Sequence, residues 1–208
     1  GIFKNIVDFC IKNNAKLIHL SSTSVYGRSL KIVNENSKNL EPRSPYAEEK
    51  LMEEKFLKKN KKIKFISLRL GTICGISKGM RFHTAVNKFC LKTILGEEIP
   101  VWNNALNQFR PYLSLNDAIK VIVNVVNKDL FDNQIYNVLT KNYSVKQILD
   151  IIKKNNFQIK IKKTKSPVLN QLFYGVSNEK FCKFGIKMSK NIDRDIMQTL
   201  NLLKSFYN

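Results

Sequence analysis

The order of hydrophobic patterns predicts an α/β fold built on parallel strands. The first seventy-odd residues alternate helix, strand, helix, strand, which calls for crossover connections and therefore parallel pairing. Both strands end in small polar residues, at 21–24 and 71–72, and in such sheets ligands lie at the carboxyl ends of the strands. No internal repeat competes with this architecture.

Each element has its own local reason. Ile2, Phe3, Ile6, Val7, Cys10 and Ile11 recur at helical spacing, and Asn13-Asn14 ends that helix. Residues 16–20 form a short buried-strand pattern that runs into Ser21-Ser22-Thr23-Ser24. A polar stretch without periodicity follows to about Arg43. Ser44-Pro45 then marks a helix start, a capping hydroxyl with proline at the first helical position, and this helix runs to about Asn60. Residues 64–70 are the second strand. Beyond it, Phe82 to Ile94 carries a helical pattern, 99–102 and 112–115 are strands, 116–127 a helix and 135–139 a strand. Ser144-Val-Lys-Gln147 matches a capping box ahead of a helix that buries Val145, Ile148, Leu149 and Ile152. A strand at 159–161 and a helix near 193–205 complete the chain.

Composition narrows the function classes. The formal charge of +20 invites a nucleic-acid partner, but 30 of the 36 basic residues are Lys, accompanied by 24 Asn and 22 Ile. Specific phosphate and base recognition leans on the bidentate arginine fork. The lysines are scattered, and the dense clusters at 58–64 and 160–165 lack stacking aromatics. Charge alone keeps a nucleic-acid-binding protein as an alternative. The four cysteines contain no CxxC pair, so neither zinc nor a disulfide framework is expected, and a reducing, cytoplasmic setting is the default. No apolar run approaches the ~20 residues of a membrane span.

The chemistry concentrates in two places. Tyr46 and Lys50 form Y-x-x-x-K on the capped helix, one turn apart on the same face. An ammonium beside a phenol stabilises the phenolate and makes a plausible general base at neutral pH. Ser22, at the end of the preceding strand, can hydrogen-bond both the tyrosine oxygen and a substrate hydroxyl. Serine at a strand end followed by Tyr–Lys on the next helix is far more specific than either piece.

With these residues in place, Ser21-Ser-Thr-Ser-Val-Tyr-Gly27, Ser44-Pro-Tyr-Ala-Glu-Glu-Lys50 and Leu68-Arg-Leu-Gly71 resemble the extended short-chain dehydrogenase/reductases, the NAD-dependent nucleotide-sugar epimerases and dehydratases. Met80-Arg-Phe-His-Thr-Ala-Val-Asn87 and Gln108-Phe-Arg-Pro-Tyr-Leu113 with Asn116-Asp117 are similar to that family's substrate-binding segments. The resemblance implies a partial Rossmann-type doubly wound parallel sheet with a smaller interleaved α/β substrate domain. Residues 1–76 would be the C-terminal part of the Rossmann domain, 77–115 a substrate-binding segment, 116–140 a return to the sheet, and 141–208 the C-terminal part of the substrate domain. It implies Ser22, Tyr46 and Lys50 as catalytic residues. Leu20, Ser21, Tyr46, Lys50 and Leu70 would bind NAD, with NADP left open, and Ser22, Ser24, Thr72, Asn87 and Arg110 would face the nucleotide sugar. A homodimer without membrane or nucleic-acid partners would complete the picture.

Two departures qualify the resemblance. The family opens on a GxxGxxG turn whose helix receives the cofactor pyrophosphate, and this chain contains none. The expectation is therefore a longer natural protein with about ~90 further residues ahead of Gly1, and an isolated 208-residue piece that is inactive. The second concerns the acid that the family's dehydratases carry just after the catalytic hydroxyl: Thr23 and Ser24 stand there. Epimerase or ketoreductase chemistry is favoured over dehydration, with a non-catalytic nucleotide-binding relative as the alternative. Arg69 is expected in a structural ion pair, His19 and His83 as ordinary core or surface residues, and Asp117 either at the start of the helix at Asn116 or touching a ligand, with an ion pair to a carboxylate such as Asp117 as the competing reading of Arg110.

Overall fold

The computed structural model describes residues 1–29, 31–102, 106–164 and 174–207. Helix α1 (Ile2–Lys12) turns Val7 and Cys10 inward and leads into strand β1 (Leu17–Ser22). A single 3-10 turn, Thr23–Tyr26, closes that strand. Helix α2 (Pro45–Lys59) starts as its sequence dictates: the Ser44 hydroxyl accepts the Ala47 N–H at 3.2 Å, and Pro45 occupies the first turn. Strand β2 (Phe65–Leu70) follows, then β3 (Thr72–Cys74), α3 (Ala85–Ile94), β4 (Glu98–Trp102) and β5 (Phe109–Ser114). The remainder is α4 (Leu115–Asn127), β6 (Gln134–Val138), β7 (Lys141–Ser144), α5 (Val145–Lys154), β8 (Lys160–Thr164), α6 (Glu179–Cys182) and α7 (Asp193–Tyr207).

The first sheet has the order β1-β2-β6, and both pairings are parallel, with Leu17 opposite Phe65 and Leu68 opposite Tyr136. Central β2 is buried along nearly its whole length, because helices cover both faces. On one face Val7 and Cys10 of α1 and Leu57 of α2 pack with Phe65. On the other, Val121 and Val125 of α4 and Phe181 of α6 pack with Ile66 and Leu68. This is the α/β arrangement expected from the sequence, wound on both sides of a parallel sheet.

A second core lies beside it. Strands β3, β5 and β7 form a small mixed sheet, and β4 pairs with β8 in parallel. Phe89 and Cys90 of α3, Ile148 and Ile152 of α5, and Ile196 and Leu200 of α7 fill the space against Ile99 and Tyr112. The predicted capping box is present, with Ser144 Oγ accepting the Gln147 N–H and Gln147 Oε1 accepting the Ser144 N–H. Of the lysine cluster at 160–165, residue 165 lies outside the described residues.

Three short elements go unsignalled in the sequence. Strand β3 is three residues long, and α6 is four, too few for a period to show. Strand β7 reads Lys-Asn-Tyr-Ser, with one apolar residue, and exists because Asn142 and Tyr143 align with Pro111 and Arg110 of β5. Pairing with β5 also lengthens the strand expected at 112–115 back to Phe109.

Gly27 ends the 3-10 turn at φ +67°, and a Cβ built there would lie 1.8 Å from the Glu41 carbonyl oxygen. Both the left-handed backbone and that contact exclude a side chain. Gly27→Ala should cost about 2–4 kcal/mol. The melting temperature should fall on the order of 10 °C, as differential scanning calorimetry would measure.

Candidate active site

The sheet ends set the site. Where β1 and β2 stop, Leu20, Ser21, Ser22 and Leu70 border a cavity of about 760 Å³ whose far wall comes from Arg81, His83, Asn87 and Arg110. That volume is in the range of small-molecule sites. The cavity collects Leu20, Ser21, Ser22, Ser24, Tyr46, Leu70, Thr72, Asn87 and Arg110, all singled out in the sequence although they span six helices and strands and the 3-10 turn. Lys50 alone among the predicted residues does not border it.

Ser22 faces the cavity with its acceptors occupied. Its Oγ accepts the Ser24 N–H at 3.2 Å and the Ser24 hydroxyl at 2.9 Å, which leaves its own O–H to donate outward. Ser21, by contrast, turns its hydroxyl into the protein and donates to Glu54 Oε1 at 2.6 Å. Only its backbone is left to meet a ligand. Tyr46 is 54% exposed at the cavity edge. The Lys50 ammonium lies 5.9 Å from the centre of its ring and donates to Glu53 Oε2 at 2.8 Å.

A buried ion pair fixes this corner. Arg69 on β2 donates through Nε and Nη2 to the two oxygens of Glu54 on α2, at 2.8 and 2.6 Å. Its guanidinium also stands 4.8 Å from the centre of the Tyr26 ring. Burial disfavours the charge on Arg69, but the Glu54 hydrogen bonds and charge outweigh it and raise its pKa. The structural role expected for Arg69 is the one it has. Asp117 is likewise internal: it accepts from Thr140 Oγ1 at 2.6 Å and from the Ser189 N–H at 2.9 Å. It is not a partner of Arg110, and among the described residues Arg110 makes no ion pair.

Two acceptors point to a ligand. Asn87 donates through Nδ2 to the Arg81 carbonyl, while its buried Oδ1 has no partner among the described residues. Gln108 Oε1 is also buried without a partner among the described residues, and Gln108 lines an adjoining cavity of about 260 Å³ that shares His83 and Arg110 with the larger one. Buried unpaired acceptors are costly, and a bound hydroxyl or N–H would satisfy them. Among the residues bordering the larger cavity there is no carboxylate, whereas two of the chain's six arginines are there. The sequence reasoning missed Arg81 and His83. Both lie in the segment 80–87 noted for its resemblance, but neither has a spacing that marks it as a ligand residue.

Residues 1–138 match the NAD dependent epimerase/dehydratase family. The chain belongs to that family. No curated protein sequence matches it. Among solved structures, UDP-glucuronic acid 4-epimerase from Bacillus cereus is similar at a TM-score of 0.84 and 21% identity, over 99% of this chain and 67% of that one. UDP-N-acetylglucosamine 4-epimerase from Methanobrevibacter ruminantium gives 0.80 and 21%, over 98% of this chain and 68% of the other. UDP-glucose 4-epimerase from Thermus thermophilus gives 0.79 and 17%, over 97% and 68%. At these identities the likeness is one of fold, and this family member has the partial Rossmann-type sheet that its motifs imply. Among the described residues no helix is long and apolar enough to cross a membrane.

His19 gives the corner a pH dependence. Burial lowers its pKa, and the hydrogen bond and charge of Glu53 only partly oppose that. The folded protein therefore holds it neutral, while the unfolded chain takes up a proton near pH ~6.5. Because the unfolded state binds more protons in this window, stability falls as pH drops below about 6.5 towards the lower folded value. Melting temperatures measured across that range should decline with acidification, and His19→Gln should flatten the decline.

Proposed function

We propose that the protein is an NAD-dependent epimerase of nucleotide sugars, with ketoreductase chemistry on the same substrates as the alternative outcome of the same site. The observation that carries this is the convergence of Ser22, Tyr46, Asn87 and Arg110 on one cavity at the carboxyl ends of parallel strands. Similar structures are described as complexes with UDP-glucuronic acid and NAD and with NAD alone, which supports the same ligand classes here.

The residues present fit the cofactor. Leu70 ends the buried strand β2, and Leu20, two residues before the end of β1, is 44% exposed at the cavity, an apolar surface suited to a planar ring. Leu20, the Ser21 backbone and Leu70 would pass under NAD, with Tyr46 and Lys50 at its ribose. NAD held there would supply the hydride acceptor and donor that epimerisation or reduction at a sugar carbon needs. The chain's own groups handle the proton. Tyr46 Oη removes it from the sugar hydroxyl, and the outward-donating O–H of Ser22 holds that oxygen in place. Lys50 supplies the positive charge beside the tyrosine. Elimination of water would need an acid at the leaving group, and the absence of any carboxylate among the described cavity residues argues for epimerisation or reduction instead.

Arg110 supports a diphosphate substrate. It borders both cavities, so a diphosphate on its guanidinium would leave the sugar in the larger and the base in the smaller, beside Trp102. Pro111 biases the preceding backbone toward an extended form, and Arg110 lies within β5. Its fork, which makes no ion pair among the described residues, suits phosphate oxygens.

Two variants of the full-length protein test this reading. Tyr46→Phe should lower kcat by at least about 100-fold while NAD affinity by calorimetry stays within about twofold. Near-normal turnover at saturating UDP-sugar would rule out the assigned base. Arg110→Lys should raise KM for UDP-sugars about tenfold or more with an unchanged melting temperature. A fallen melting temperature with unaltered KM would instead make Arg110 structural.

A further inference from the structure

Lys50 is held away from the cavity by a chain of hydrogen bonds that the reaction described above does not require. Tyr46, Lys50 and Glu53 fall at i, i+4 and i+7 of α2, one stripe of the helix. Glu53 Oε2 accepts from Lys50 Nζ at 2.8 Å and is 2.9 Å from His19 Nε2. On the other side of the ring, His19 Nδ1 is 2.8 Å from Ser67 Oγ.

The chemistry of these groups fixes the direction of each bond. A carboxylate only accepts, so His19 carries its proton on Nε2 and donates it to Glu53. A neutral imidazole then accepts on Nδ1, and the Ser67 hydroxyl donates to it. The Glu53 carboxylate thus sets the tautomer of His19 on β1, while Ser67 on β2 holds the other edge of the ring and with it the position of the carboxylate on α2. His19 and Ser67 are buried, so this anchor is screened from water.

We propose that Glu53, braced by His19, is a positioning residue for Lys50 that sets the pH range in which Tyr46 works as the base. This rests on the reading of Tyr46 as that base. Glu53 takes a hydrogen bond from the same Lys50 ammonium that stands 5.9 Å from the centre of the Tyr46 ring, so part of the positive charge that favours the phenolate is spent on Glu53. Burial disfavours the charge on Glu53, but the Lys50 and His19 hydrogen bonds more than offset it, so the carboxylate stays ionised. The charged neighbours are few. Lys50 and Glu54 lie on the same helix, and Glu54 is paired with Arg69 of β2. His19 faces Glu53 from β1, and α1 presents the uncharged Phe3 ring, 5.3 Å from the imidazole centre.

The test is the pH profile of kcat/KM in the full-length protein with NAD and a UDP-sugar, from about pH 5 to 9. Glu53→Gln keeps the shape and an acceptor but removes the negative charge. Its acid limb should move to lower pH by about half a unit or more, with NAD affinity within about twofold of wild type. Ser67→Ala, which keeps every charge but removes the hydrogen bond that holds the His19 ring, guards against a Glu53→Gln protein that does not fold, and should displace the limb by a smaller amount. A structural role for Glu53 would lower the melting temperature and leave the profile superposed on wild type, and that result overturns the proposal. Wild-type protein without turnover would overturn the epimerase reading, and this proposal with it. An active wild type with superposed profiles removes this proposal alone. As a readout independent of turnover, imidazole nitrogen NMR should find His19 as the neutral Nε2–H tautomer at pH ~7, assigned against the one other histidine by His83→Gln. The opposite tautomer would break the brace and overturn the proposal.

Discussion

The Arg69–Glu54 pair is the interaction on which this corner of the structure depends. It joins β2 to α2 through two hydrogen bonds, takes a third from Ser21 on β1, and carries the Tyr26 ring against the guanidinium. Both charges are buried, so each needs the other: removing one partner of such a pair leaves an uncompensated charge and costs about 3–5 kcal/mol. The pair therefore fixes how α2 lies against the strand ends. Tyr46 is two turns away on the same helix, and its place at the cavity that Ser22 also borders follows from that docking.

A division of labour runs through neighbouring residues. Along β1, Ser21 turns inward to Glu54 while Ser22 turns outward to the cavity, as strand alternation requires. Along α2, Glu53 and Glu54 are adjacent, yet one holds Lys50 and the other holds Arg69. Adjacent residues on a helix point about 100° apart, so one serves the stripe of Tyr46 and Lys50 and the other the core. The site is an extension of the packing rather than an addition to it.

The second core gives the cavity its other wall. Helix α3 buries Phe89 and Cys90, and burial pushes the Cys90 thiol up to about 12, as befits a packing residue. The same helix turns Asn87 towards the cavity, leaving Oδ1 unpaired. Arg110, on β5, reaches the junction of the two cavities because β5 is held between β3 and β7. An opening without carboxylates and with two arginines favours an anionic ligand.

The sequence by itself determined the alternation of helix and strand, the caps at Ser44 and Ser144, and the Ser–Tyr–Lys order, because these are local: periodicity, a hydroxyl three residues from an amide, a spacing of four. The family resemblance added Asn87 and Arg110, which border the same cavity as Ser22 although the spacing around them gives no signal. Only the tertiary structure decided that Ser21 faces inward, that Asp117 belongs to Thr140 and Ser189, and that Lys50 is shared with Glu53. Those outcomes depend on partners 23 to 72 residues away in the chain, or on which of two neighbouring glutamates faces a strand. Local propensity carries no information about such contacts, since they exist only once the sheet has placed distant side chains within hydrogen-bond reach.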